Sequence, residues 1–137
     1  MTAARVADVM LAVVLGILAV YHLVMGAIAL FAPARAARTA GALYGVHLDN
    51  VPQLRYATSM IGALAVAVGG LATVAAFDPY QHRPIIASLI ALQLARLFCR
   101  VRDRRMLAET LGVAPRRNAA MVLVLGVEAA VLALAFR

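Results

Sequence analysis

Two ionisable side chains stand alone inside long apolar stretches of this sequence. Glu128 lies within VLVLGVEAAVLAL, and His22 lies within VMLAVVLGILAVYHLVMGAIALFA. A carboxyl group and an imidazole held together away from water can exchange a proton, and either can contact the polar head of a hydrophobic molecule. Gln93 and Arg96, in PIIASLIALQLARLFC, add an amide and a cation to a third apolar stretch. These four residues are the candidate ligand-binding set.

The composition predicts that most of the chain lies in lipid. Of its 137 residues, 65% are hydrophobic and 14% are charged, and the mean hydropathy is +0.93. Soluble domains are roughly half apolar, so a soluble domain of this size could not bury so much apolar surface. The basic residues are all arginines and lie at the ends of apolar runs, a pattern that argues against nucleic acid as a partner. The single Cys99 excludes an intrachain disulfide, and no metal site is expected.

Four apolar runs are the candidate membrane spans, since a span needs about 20 residues. The runs cover residues 9–32, 56–77, 84–99 and 119–136. Four spans joined by short connections predict one all-α domain, residues 1–137, folded as a membrane four-helix up-down bundle.

Arginine counting predicts how this bundle is oriented. The connections 33–55 and 100–118 carry nine arginines, whereas the opposite side carries three, Arg5, Arg83 and Arg137. Positively charged loops stay in the cytoplasm, so both connections are expected there and both termini outside.

Small residues recur at helical spacing on the first two spans. Close backbone approach through such faces supplies packing in lipid, where helix association has no hydrophobic driving force. Packing within one bundle and an oligomer interface both fit this pattern. His22 lies on the same face as the small residues of the first span and should point into the bundle. The residues expected to pack structurally are Gly16, Ala19, Gly26, Gly62, Ala65 and Gly69.

Depth along the helices suggests a partner for Glu128. Glu128 lies eleven residues from Arg117, about 16 Å at 1.5 Å per residue, and His22 lies eleven residues from Pro33. The first and fourth helices of an up-down bundle are neighbours, so we expect Glu128 and His22 to meet near mid-membrane. Both a neutral carboxyl donating to His22 and an ion pair are consistent with the sequence. Arg96 is a second candidate partner, although its side chain could extend to the cytoplasmic surface instead.

Several short segments together resemble a family of four-span bacterial membrane proteins of the DoxX-like group. The segments are GAIALFAP, ALYG, LRYATSMIGALAVAVGGLA, LARLFCR and GVEAAVLAL. The resemblance implies a four-helix bundle in the bacterial inner membrane, with Arg55, Arg96 and Glu128 as recurring polar positions. The group's name is linked to quinol oxidation, so the resemblance also implies a redox-linked partner.

Three functions are compatible with these features. The first is a non-catalytic accessory or scaffold subunit of a larger membrane complex, indicated by the absence of a catalytic motif and by packing-rich helices. The second is a binder or carrier of a small hydrophobic molecule, a quinone or lipid, whose polar head would contact Glu128, His22 and Arg96. The third is an enzyme that uses His22 and Glu128 for proton transfer, although no sequence feature requires catalysis or identifies a cofactor. Expected partners are the lipid bilayer and either other membrane subunits or further copies of the chain.

Overall fold

The computed structural model describes residues 3–45 and 52–137, and every regular element within these ranges is helical. Four of the helices contain the predicted spans and are long and apolar enough to cross a membrane. The elements are α1 (Ala3–Phe31), α2 (Pro33–Tyr44), α3 (Pro52–Phe77), α4 (Arg83–Arg102), α5 (Arg104–Glu109), α6 (Pro115–Leu132) and a final 3₁₀ turn (Ala133–Phe136).

Helix α2 occupies a segment that the sequence pattern assigned to a loop. Pro33 starts the helix, where its missing N–H costs nothing, and Gly45 ends it with a φ of 71° that favours glycine. Alanine-rich sequence between these two residues has high helix propensity even though it is not hydrophobic. The hydropathy pattern therefore marked the end of the apolar run but not the end of helical structure.

The tightest packing in the fold joins α1 to α3 through glycines. A Cβ atom added to Gly62 would lie 2.5 Å from the Leu30 backbone nitrogen and 2.8 Å from the Gly26 backbone oxygen. Near the middle of both helices, a Cβ atom added to Gly69 would lie 2.8 Å from the Leu23 backbone nitrogen and 3.1 Å from the Ala19 backbone oxygen. Residue numbers fall along α1 as they rise along α3, so the two helices are antiparallel.

One residue of the predicted packing faces, Gly16, lies outside the close contact. Gly16 has no neighbouring atom within 4 Å of the position that a Cβ would occupy, so it is not part of a close helix contact. Ala65 borders a cavity, which is described below. The close backbone contacts that glycines allow between α1 and α3 lie between Ala19 and Leu30 of α1.

The two ends of the structure differ in charge. At one end, Asp8 of α1 accepts hydrogen bonds from the Tyr80 hydroxyl and the Arg137 guanidinium, both at 2.5 Å, which ties the α3–α4 turn and the C-terminus to α1. At the other end, Arg100 donates to the Asn118 side chain at 3.0 Å and lies over the Tyr44 ring, which brings together α2, α4 and α6. The segments near this second end contain nine of the thirteen arginines.

The apolar core occupies only part of the helical assembly. Its fully buried side chains include Leu11, Leu15, Ile86 and Leu132, which lie toward the end that holds both termini. One turn beyond this core, in the direction of the arginine-rich end, the buried residues become polar, with His22 7% exposed and Gln93 1% exposed. The candidate site lies in this polar half.

Candidate functional site

Gln93 is the centre of a hydrogen-bonded chain between α4 and α6. Its Nε2 donates to Glu128 Oε2 at 2.5 Å, and its Oε1 accepts a hydrogen bond from Arg96 Nη1 at 3.0 Å. Only one orientation of the amide satisfies both contacts, because the guanidinium can only donate and an ionised carboxylate can only accept. Gln93 thus connects the cation to the acid, and the fully buried amide leaves neither of its polar atoms unsatisfied.

The predicted contact between His22 and Glu128 does not form. His22 Nδ1 lies 2.8 Å from the Leu18 backbone oxygen, one turn earlier in the same helix, and no hydrogen bond joins it to Glu128 among the residues described. A carbonyl can only accept, so Nδ1 carries a proton and donates it. Equal depth along the two helices does not bring His22 and Glu128 into contact, because each helix is rotated so that the two side chains border different cavities.

Two cavities border the polar side chains Tyr21 and Arg96 on opposite sides, and the larger of these two has a volume of about 420 Å³ and is mostly apolar. His22, Tyr21 and Arg96 provide its main polar groups, together with Thr58 of α3. A concave, largely apolar site with a few convergent polar groups is typical of small-molecule binding sites. The apolar lining comes from α1, α2, α3 and α4: Met25, Ala29, Ala36, Ala37, Ala40, Ile61, Gly62, Leu64, Ala65, Val68 and Leu92.

A smaller cavity of about 280 Å³ lies on the other side of Tyr21 and Arg96. Glu128 and Arg100 supply its remaining charged groups, and the C-terminal residues of α2 form one wall. Because Tyr21 and Arg96 border both cavities, these two side chains form the partition between them.

Arg96 does not extend to the surface as one of the sequence interpretations allowed. It is partly buried, donates to Gln93, and is the cation that acts electrostatically on both Glu128 and His22. Its position one turn after Gln93 on α4 keeps the guanidinium within the bundle. All four residues of the candidate set therefore lie around this guanidinium, in one polar region between α1, α4 and α6.

Tyrosines of this site were not among the predicted residues. The Tyr21 and Tyr44 hydroxyls are hydrogen-bonded to each other, which connects α1 to α2. Tyr21 precedes inward-facing His22 on α1, and its side chain points about 100° away from that of His22. That direction leads toward α2 and α6. Recognising from the sequence that residues 33–44 are helical could have identified Tyr21 as a residue of the site.

A polar stripe runs along one face of α4. Gln93, Arg96 and Arg100 follow one another at steps of three and four, and all three contribute to the site. Asp103, the next residue at this spacing, does not: it pairs with Arg102 at 2.8 Å on the surface. This ion pair lowers the pKa of the exposed Asp103 carboxyl.

The histidine, cysteine and acidic side chains that the structure describes do not form a metal-binding cluster. Within residues 3–45 and 52–137, no three of these side chains lie close enough to bind a metal ion together.

Comparisons of the chain with protein-family models, curated proteins and solved structures find no match. Membership of the DoxX-like group therefore stays a prediction, and the function is inferred from the geometry of the site.

Proposed function

We propose that this chain is a multi-pass membrane protein that binds a small amphipathic molecule, a quinone or lipid, between its helices. The observation that carries the proposal is the apolar cavity of about 420 Å³ whose polar groups converge at Tyr21, His22 and Arg96. Its volume lies within the range of about 300–1,000 Å³ that is common for small-molecule sites. A hydrophobic body would occupy the alanine-lined part, and a polar head would lie against Arg96.

The outer surface supports placement in a bilayer as an up-down four-helix bundle. Val20, Phe77 and Leu123 are 63%, 87% and 68% exposed, and such side chains are stable in hydrocarbon but costly in water. The antiparallel α1–α3 pair and the contacts that α4 makes with α6 support alternating helix directions. Between their end turns, the backbone groups of such helices are hydrogen-bonded internally, as a bilayer requires.

We place the arginine-rich end in the cytoplasm and both termini outside, in the inner membrane of a bacterium. The support is the ratio of nine to three arginines between the two sides. The bacterial assignment rests on the DoxX-like resemblance alone, and so does the link to redox chemistry.

The mostly apolar cavity, with its few convergent polar groups, separates this proposal from the accessory-subunit hypothesis. A scaffold needs complementary outer surfaces but has no need for an internal cavity with a partly buried cation, Arg96, at its wall. The exposed apolar faces do not discriminate between the two functions, because lipid and a partner subunit would cover them equally well.

Native mass spectrometry of the protein, extracted gently from its own membrane, tests the proposal. A copurified small molecule is the expected result, whereas an additional polypeptide without a small molecule would favour the accessory subunit. Ala40→Phe places a ring in the larger cavity and should remove the bound molecule. Ala42→Phe on the exposed side of α2 is the matched control and should retain it. If both variants and the original chain carry no small molecule, the proposal is wrong.

A further inference from the structure

We propose that the bound molecule is a single-chain amphipathic anion whose acidic oxygen head group is held by Arg96 and Arg100. The inference rests on the proposed function and specifies the chemical class of the ligand. It is carried by two partly buried cations on one cavity wall that have only neutral hydrogen-bond partners.

Neither guanidinium is neutralised by an ion pair. Arg96 donates to the amide oxygen of Gln93, and Arg100 donates to the amide oxygen of Asn118, each at 3.0 Å. No described carboxylate lies within ion-pair distance of either guanidinium; the ion pairs in the described ranges involve Arg102 and Arg137 instead.

The two positive charges also repel each other. Arg96 and Arg100 are four residues apart on α4, and like charges at this spacing destabilise a helix. Glu128 is the nearby acid, and it is engaged by Gln93. Even with Glu128 ionised, two arginines and one carboxylate leave one net positive charge, which a bound anion would neutralise.

The acidic head group of this anion would bind in a third, open compartment of about 390 Å³. Tyr21, Tyr44, Arg96 and Arg100 line it, and no carboxylate contributes to its wall. The two tyrosine hydroxyls share one hydrogen bond, in which one O–H donates. The other phenolic O–H stays available, so the compartment offers two guanidinium groups and one hydroxyl as donors to acidic oxygens.

The larger cavity sets the size of the apolar part. At ~30 Å³ for each water-sized group, 420 Å³ holds roughly 14 such groups, which is room for one alkyl chain. Tyr21 and Arg96 line both this cavity and the open compartment. A ligand whose head group lies beside Arg96 can therefore place its alkyl chain in the cavity. Ile61 and Leu64 border the cavity while 64% and 66% exposed, which places an opening on the side that would face lipid.

Binding of myristate and of its methyl ester to the purified full chain, in a neutral detergent, tests the inference. The two probes have the same chain and differ in head-group charge. We expect native mass spectrometry to show myristate binding at least tenfold more tightly than the ester. Arg100→Gln should weaken myristate binding by about 10- to 100-fold, as expected for loss of one charged hydrogen bond, and should leave the ester unaffected.

Arg104→Gln removes an exposed arginine at the same end and serves as the control that leaves both affinities unchanged. Arg100→Lys retains the charge, and should retain the preference for myristate, if the glutamine variant does not fold. The acidic head group can be the phosphate of a lipid or a free carboxylate, and a myristoyl lysophosphatidate probe distinguishes the two. Tighter binding than myristate assigns a lipid phosphate, and weaker binding assigns a free carboxylate.

Two negative results are distinguishable. If the ester binds as tightly as myristate, and Arg100→Gln changes neither, the anionic head group is wrong while small-molecule binding stands. If none of the three probes binds and nothing copurifies with the original chain, the proposed function itself is wrong.

Discussion

Replacing Gly62 by alanine should weaken the contact between α1 and α3. The added Cβ would lie 2.5 Å from the Leu30 nitrogen, about 1 Å short of the ~3.5 Å at which non-bonded heavy atoms pack well. The neighbouring atoms belong to the α1 backbone, which cannot change rotamer to make room. The helices must therefore separate locally.

The size of the loss in the free energy of unfolding follows from this forced separation of the helices. Gaps of 0.5–1 Å remove about a quarter to a half of the dispersion energy of the affected contacts, and overpacking typically costs about 1–3 kcal/mol. Alanine has a higher helix propensity than glycine, by about 1 kcal/mol at most, which offsets part of the cost. We expect a net loss of about 1–2 kcal/mol in the free energy of unfolding.

Gly70 on the same helix provides a matched control. An added Cβ there has no neighbouring atom within 4 Å, so Gly70→Ala should leave stability unchanged or slightly increase it. Unfolding by increasing fractions of sodium dodecyl sulfate in mixed micelles, followed by circular dichroism, measures both variants. Equal stability of Gly62→Ala and Gly70→Ala would refute the close backbone approach of α1 and α3.

Three further predictions concern the polar half and its orientation. Gln93→Leu should cost about 1–3 kcal/mol, measured by the same unfolding assay, because it removes the acceptor of Arg96 and the donor to Glu128 together; a neutral result would contradict the bridging amide. Alkaline phosphatase fused to the C-terminus should be active, since we place both termini outside; activity only for a fusion within the loop 100–118 would reverse the orientation. The lowered pKa of Asp103 means that its pairing with Arg102 stabilises the fold above the unfolded-state pKa and is lost as pH falls through the folded value. Carboxyl-carbon NMR should show this carboxyl titrating below an ordinary aspartate, and Arg102→Gln should return it to the ordinary value.

Much of the fold was predictable because hydropathy is a local property. Each of the four apolar runs became a helix of sufficient length, and inward-facing His22 is buried as its small-residue face indicated. The shared helix face of Gln93 and Arg96 was also predictable from the sequence, since residues three apart lie on the same side of a helix whatever surrounds them. Helix α2 was missed because its alanines and arginines favour a helix without being hydrophobic.

The partner of Glu128 was not predictable in the same way. Depth along a helix follows from counting residues, but contact also requires the rotation of each helix about its axis. One residue changes that direction by about 100°, so His22 and neighbouring Tyr21 border different combinations of cavities. The same limit separated Gly16 from the glycines that pack.

The sequence by itself determined four apolar helices, an arginine-rich end and a small set of polar residues within the spans, because composition and periodicity are properties of the chain alone. Only the tertiary structure decided that Gln93 is the hydrogen-bond partner of Glu128, that Arg96 and Arg100 have neutral partners, and that a cavity remains beside Arg96. Those features depend on how four helices are rotated and spaced, which is set by contacts between residues far apart in the chain, such as Gly26 with Gly62.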